Sequence, residues 1–213
     1  PPANLANVKV LSVQNNSSCA IDVLGQLSCW GSHMAQSGVF PASIPENSFK
    51  AVAVSSGVMH TCAIRDDQTL ACWGQNDYGQ LSLPADLGPV RSAIASRFET
   101  CAITSDKSLR CFGRDTSSLP YKAAPPLTNV ARVITGVLGR NTCAVTVEGK
   151  VSCWGSLSYN GEYSVEPPND LGPVDDVAIT AVGYICARLS AGGIQCWGNT
   201  YEVPDKIPAI FSR

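Results

Sequence analysis

The sequence predicts an all-β protein, a five-bladed β-propeller with one hairpin disulfide per blade. Three observations predict it. A unit of two cysteines ten positions apart, closed by Trp-Gly (Phe-Gly in the third copy), occurs five times, at 19–31, 62–74, 101–113, 143–155 and 186–198. The copies follow one another at about 42 residues, a period that short-strand arrays such as propellers show. No stretch sustains the 3.6-residue apolar rhythm of a helix. One small sheet cannot bury both its faces, whereas packed blades can. The chain therefore reads as one domain, 1–213, of five repeats at approximately 1–41, 42–83, 84–124, 125–167 and 168–213.

Each repeat opens with a lead-in to an apolar strand. It reads Pro2-Ala-Asn-Leu5-Ala-Asn-Val8, Pro84-Ala-Asp-Leu87-Gly-Pro-Val90 and Pro168-Asn-Asp-Leu171-Gly-Pro-Val174, with degenerate forms before Phe49 and Val130. Small and β-branched residues follow, as in Val52-Ala-Val54 and Val177-Ala-Ile179, and suit a centre where strands converge. The hairpin comes next, with turns at Gly25, Asp66-Asp67, Asp106-Lys107, Glu148-Gly149 and Gly192-Gly193. If Cys19 faces Cys29 across an antiparallel pair, Ile21 faces Leu27, and both sulfurs lie on one side of the sheet. This favours the pairs Cys19–Cys29, Cys62–Cys72, Cys101–Cys111, Cys143–Cys153 and Cys186–Cys196. The rival pairing joins cysteines of adjacent repeats. The aromatic after the second cysteine (Trp30, Trp73, Phe112, Trp154, Trp197) is expected to pack between blades. The segments after each aromatic-Gly pair differ in length and carry most of the prolines; they read as surface loops with a short outer strand in each.

The cysteines also indicate the compartment. Zinc ligands come as closer pairs, often with histidine, and His33 and His60 are the only histidines. Disulfides in an oxidising compartment fit better. Asn15-Asn16-Ser17-Ser18 holds two overlapping glycosylation acceptors, at Asn15 and Asn16, and Asn141-Thr-Cys143 a weaker one. The chain opens Pro1-Pro2 and not Met, which predicts a processed product or an excised domain. A net charge of −2 gives no electrostatic case for nucleic acid or an anionic membrane. No apolar run approaches the roughly 18 residues that span a bilayer.

The repeats resemble the regulator-of-chromosome-condensation (RCC1-like) propeller repeat. The second copy carries the resemblance best, in Gly57-Val-Met-His60-Thr-Cys-Ala63-Ile64 and Trp73-Gly74-Gln-Asn76-Asp-Tyr-Gly79-Gln80-Leu81. The C-A-[ILV]…C-W-G form is similar to the crinkly-type repeats of plant receptor ectodomains. The resemblance implies the propeller fold over essentially the whole chain. The better-known members have seven blades, against five hairpins here, and the nuclear member's nucleotide-exchange role implies a reducing compartment that five disulfides argue against. Pro204-Asp-Lys-Ile207-Pro-Ala-Ile210 repeats the lead-in a sixth time. Either the two chain ends share a closing blade, or the array was cut from a longer protein; a closed ring of five is the expectation.

Candidate chemistry is sparse. His60 stands where the other copies have Ser17, Glu99, Asn141 and Tyr184, and is expected to be structural, bonded to a neighbouring strand. Asp66-Asp67 sits in a turn and Asp175-Asp176 at a strand start, so both read as solvated and not as acid–base or calcium pairs. No nucleophile–base set appears, and no cofactor is expected. Five of the six tyrosines (Tyr78, Tyr121, Tyr159, Tyr163, Tyr201) fall in the loops, with Asn76, Asp77, Asn160, Glu162 and Asn199 beside them. Tyrosine supplies rigid contact area with a polar tip; the other reading packs these rings between blades. The expected function is a secreted or cell-surface, non-enzymatic recognition module that binds a protein partner through loops on one face. The alternatives are a glycan-binding lectin and a structural segment of a longer chain or assembly.

Overall fold

The computed structural model describes residues 5–14, 17–35, 38–41, 44, 49–113, 123–136, 138, 140–155, 165–180 and 183–198. The chain divides into two compact units, Pro1–Asp115 and Thr116–Arg213. The first holds three antiparallel sheets. These are β1 (Val8–Gln14), β2 (Ser17–Asp22), β3 (Leu27–Ala35) and β4 (Gly38–Pro41); β5 (Ala51–Ser56), β6 (His60–Arg65) and β7 (Leu70–Gly74); and β8 (Val90–Ala95), β9 (Glu99–Thr104) and β10 (Leu109–Gly113). The second unit holds two: β11 (Val130–Thr135), β12 (Asn141–Thr146) and β13 (Val151–Gly155), then β14 (Val174–Ile179), β15 (Tyr184–Leu189) and β16 (Ile194–Gly198). These are the five expected blades. An outer strand is present in the first blade, as β4; the loop at 75–83 has turns in its place.

All five hairpins share one register. Each first cysteine faces the second, as Cys19↔Cys29, Cys62↔Cys72, Cys101↔Cys111, Cys143↔Cys153 and Cys186↔Cys196. All five pairs are disulfides, with Cα atoms 4.0–4.1 Å apart. Loop closure over so short a stretch contributes roughly 2–3 kcal/mol per bridge. The pairing with the strand before slips by one residue at the same place in every blade, between Val8 and Val10, Ala51 and Ala53, Val90 and Ser92, Val130 and Arg132, and Val174 and Asp176. Such a bulge bends and twists a strand.

The hairpin turn explains how blades join. The residue six past the first cysteine has positive φ in every copy: Gly25 (83°), Gln68 (68°), Lys107 (67°), Gly149 (78°) and Gly192 (94°). This left-handed conformation aims its carbonyl outward. Gly25 O accepts from Ala51 N–H at 2.8 Å, Gln68 O from Val90 N–H at 2.9 Å and Gly149 O from Val174 N–H at 3.0 Å. Each of these turns thus holds the start of the next blade. A second, hydroxyl-mediated tie repeats at the other end of the strand, from Ser56 N–H to Ser12 Oγ (2.8 Å) and from Ala95 N–H to Ser55 Oγ (3.0 Å).

Cores form between successive blades. Cys19 and Ile21 of the first blade pack with Ala51, Ala63 and Trp73 of the second. Cys62, Ile64 and Leu70 of the second pack with Leu87, Val90, Ala95, Ala102 and half-buried Phe112 of the third. In the second unit, Cys143, Val145 and Cys153 meet Val174, Val177, Ile185, Ala187 and Trp197. In these three interfaces the earlier blade presents its disulfide and the Ile or Val two past the first cysteine, and the later blade presents its aromatic. Trp154 is fully buried and Trp30 half-buried.

Candidate functional site

The loop after the second blade, 75–83, is the part of the expected binding surface that the described residues contain. It begins at Gly74, whose φ is 116° and whose added Cβ would lie 2.7 Å from His60 Cα. No side chain fits there, and the same glycine position carries positive φ in all five blades (Gly31, Gly113, Gly155 and Gly198 are the others). The tight crossing lets the chain leave β7 directly beside β6. Gln75 N–H then donates to Met59 O at 2.9 Å.

Within the loop, polar side chains replace a strand ladder. Asn76 Oδ1 accepts from Leu81 N–H at 2.8 Å, and Asn76 O accepts from Gly79 N–H at 3.0 Å. Gln80 Oε1 accepts from Tyr78 N–H at 2.9 Å. Gln75 Nε2 donates to the Asp77 carboxylate. Gln75 and Gln80 are fully buried, while Asn76 and Asp77 are exposed. The Tyr78 ring meets Phe98 of the third blade edge-on, centroids 4.8 Å apart, and the Arg97 guanidinium lies 5.0 Å from the other ring's centroid. Tyr78 is thus half-buried and packs on the next blade, while its neighbours Asn76 and Asp77 face solvent.

A buried polar seam lies beneath the loop. His60 is fully buried, and its Nε2 bonds to Thr100 Oγ1 of β9 at 2.8 Å. Thr100 Oγ1 donates in turn to Gln80 O at 2.8 Å. Gly113 completes the seam, since a Cβ there would meet Gln80 Cα at 2.8 Å and Phe98 O at 2.7 Å. The histidine is therefore a strand-to-strand tie and not a free base. The Thr100 bond compensates the burial of one ring nitrogen.

The carboxylate pairs are engaged locally. Asp67 Oδ1 accepts from Thr69 Oγ1 (2.6 Å) and Thr69 N–H (2.9 Å), and the hydroxyl bond is the main reason its pKa lies below the usual aspartate range. Asp175 Oδ1 accepts from Ser190 Oγ (2.6 Å) and Oδ2 pairs with Arg188 (2.7 Å); both lower its pKa, the serine more. Asp176 pairs with Arg132 at 3.0 Å, linking β14 to β11. Asp175-Asp176 is therefore exposed, as expected, and also ion-paired, Asp175 within the fifth blade and Asp176 across to the fourth. Among the described residues no group of three His, Cys, Asp or Glu side chains could hold a metal.

Asn15, Asn16, Tyr121, Tyr159, Asn160, Glu162, Tyr163, Asn199 and Tyr201 lie outside the described residues, as does the sixth lead-in. The side chains that sequence reading passed over are Gln75, Phe98 and Thr100. Phe98 and Thr100 flank Glu99, in a Phe-Glu-Thr-Cys stretch that looks like ordinary strand. Gln80 carried a signal, because it belongs to the Gly79-Gln80-Leu81 stretch of the repeat pattern.

The regulator of chromosome condensation (RCC1) repeat matches residues 51–80, which is the second blade and its loop. Protein pim1 of Schizosaccharomyces pombe is 24% identical over 213 residues, covering 91% of this chain and 35% of that protein. The chain thus spans about a third of the length of the curated relative it matches. The CRINKLY WD40 ectodomain of the Arabidopsis thaliana receptor kinase ACR4 superposes with a TM-score of 0.67 at 19% identity, over 97% of this chain and 70% of that one. Prp20p of Saccharomyces cerevisiae, described with its binding properties to Gsp1p and histones, gives 0.65 at 16% identity, over 90% and 58%. Residues 51–80 thus match the RCC1 repeat, and the fold is that of the RCC1-like and crinkly-type β-propellers.

Proposed function

We propose that the chain is an extracellular, non-enzymatic recognition module that binds a protein partner through the loops that follow its aromatic-Gly pairs. One observation carries the reading: the hairpins repeat register for register, whereas the loops share neither length nor sequence. A uniform frame with unlike loops suits one asymmetric partner. Binding chemistry would sit on exposed Asn76 and Asp77, with Tyr78 held in place by Phe98, and extend to Tyr121, Tyr159, Tyr163 and Tyr201. Five disulfides support an oxidising compartment. The likeness to a receptor-kinase ectodomain supports it too, and Prp20p is a protein of this fold described as binding other proteins.

The test is site-specific photo-crosslinking on the intact oxidised protein. A probe at Asp77 is expected to capture a discrete protein, and a probe at exposed Asp170, in the lead-in to the fifth blade, is not. Asp77→Arg should then weaken binding of that protein at least tenfold while the chain stays folded with its five disulfides, although buried Gln75 loses an acceptor. Binding to a glycan array with no protein adduct would replace the reading with a lectin.

A further inference from the structure

The fourth hairpin joins two chemistries that the other four keep apart. Asn141-Thr142-Cys143 is the Asn-x-Cys form of a glycan acceptor, and its third residue is also half of the blade's disulfide. Two positions before the first cysteine the other blades carry Ser17, His60, Glu99 and Tyr184, none of which can accept an N-linked glycan.

The folded hairpin withdraws each group that glycan transfer needs. Asn141 is 3% exposed, and Nδ2, the atom that would carry the sugar, is buried. The Asn141 carbonyl accepts from Gly136 N–H at 3.0 Å and from Thr135 Oγ1 at 3.2 Å. The side chain lies against Gly136, where an added Cβ would stand 2.6 Å from Asn141 Oδ1 and 3.0 Å from Ile179 of the fifth blade. On the paired strand Gly155 faces Asn141, and a Cβ there would come within 2.8 Å of Asn141 Cα. A residue seated where a single methyl group has no room leaves none for a sugar on the same amide. All these contacts lie within the second unit. Cys143 is equally withdrawn, fully buried and bonded to Cys153. The third residue of an acceptor is read through its O–H or S–H hydrogen, and a disulfide sulfur has none.

Before the hairpin closes, the same three residues offer a free amide and a free thiol. Transfer forms a bond from Asn141 Nδ2 to the anomeric carbon of the sugar, breaks that carbon's bond to a lipid-linked pyrophosphate and releases one amide proton. Closure takes two hydrogens from Cys143 and Cys153 by exchange with a disulfide of the compartment. Each step destroys what the other needs. Closure consumes the thiol and buries the amide, and a glycan on Nδ2 bars the amide from its seat against Gly136.

We infer that Asn141 accepts glycan only in the open chain, and that its modification and closure of the fourth hairpin exclude each other, in a chain that passes, as the proposed function requires, through an oxidising and glycosylating compartment. Glycan at Asn141 then marks a chain whose fourth blade failed to close.

Peptide mapping of the full chain, made behind a signal peptide in a glycosylating host, tests this in secreted and cell-retained material alike. Conversion of asparagine to aspartate on enzymatic glycan release reports occupancy at 141. The intact chain should show Asn141 unmodified wherever Cys143 is joined to Cys153. Cys153→Ser frees the thiol and should raise occupancy several-fold. Cys143→Ser with Cys153→Ser supplies the stronger hydroxyl form of the acceptor and should raise it further. Glycan at Asn141 in a chain that also holds the Cys143–Cys153 bridge would overturn the inference. So would Asn141 left unmodified by Cys153→Ser, whatever the double variant shows. The signal peptide sets the compartment, so these results stand apart from whether a probe at Asp77 captures a protein.

Discussion

The hairpin at 60–74 and the loop at 75–83 adjoin in sequence and follow opposite rules. The hairpin is held by features that occur five times: a facing cysteine pair, a left-handed turn six residues on and a glycine that no side chain could replace. The loop is held by Gln75, Asn76 and Gln80, which bond to its own backbone or to the blades beside it. The first kind of order is position-specific and indifferent to what the surface carries. The second is residue-specific and changes whenever the loop changes. The order of the frame and the order of the loop are thus separable in this fold, and substitutions should sort into two groups accordingly.

The sharpest way to break that separation is the glycine at the junction. Gly74→Ala places a Cβ against His60 Cα in a backbone region that disfavours side chains, and should cost about 3 kcal/mol or more in thermal or chemical unfolding. Removing one staple by Cys62→Ser with Cys72→Ser should cost roughly 2–3 kcal/mol. An equal loss is expected in any other blade, because the closed loops are identical in length. The seam is the next test. His60→Ala deletes a buried tie to Thr100 Oγ1, which keeps only its bond to Gln80 O, for a loss of about 2 kcal/mol. Thr100→Val together with His60→Ala should cost less than the sum of the two single changes, since the groups act as one bonded pair.

A smaller effect runs the other way. Gln68 and Lys107 hold the turn conformation that glycine holds in the other three blades, so Gln68→Gly and Lys107→Gly should each stabilise by up to about 1 kcal/mol. Gly25→Ala should do the reverse. Acidity gives the smallest effect. Asp67, Asp86, Asp106 and Asp175 have lowered pKa values, chiefly from Thr69, Arg110, Thr104 and Ser190 in that order. A depressed carboxyl pKa contributes stability above the unfolded value and loses it as pH falls through the folded one. These four groups should therefore leave the melting midpoint flat at neutral pH and begin to lower it only below about pH 4. All four are exposed, so the drop should be slight.

How much of this was legible in the sequence follows the same division. The cysteine register was readable because two residues ten apart, with Ile and Leu inside them, fit one antiparallel pairing. The aromatic-Gly pair was readable as a joint, although the reason for the glycine, a backbone closer than any Cβ allows, needs the neighbouring strand. The carbonyl that each of three turns gives to the next blade was not readable. It depends on φ at Gln68 as much as at Gly25, and nothing in a glutamine announces a left-handed conformation. Asp175-Asp176 is exposed as expected, but its ion pairs were not readable for a related reason: the β14–β15 pairing brings in Arg188, and stacking of the fourth blade on the fifth brings in Arg132, 43 residues from Asp175. In the loop, Tyr78 had two readings of equal standing, and the choice rested on Phe98, which is twenty positions further along.

The measurement that tests the account most directly is non-reducing peptide mapping of the chain made in an oxidising compartment, with intact mass before and after reduction. The account predicts a gain of ten hydrogens on reduction, and five cross-linked peptides in which each cysteine is joined to the one ten residues on. Free thiols, or bridges between adjacent repeats, would contradict the stapled blade and with it the extracellular recognition module built on that frame.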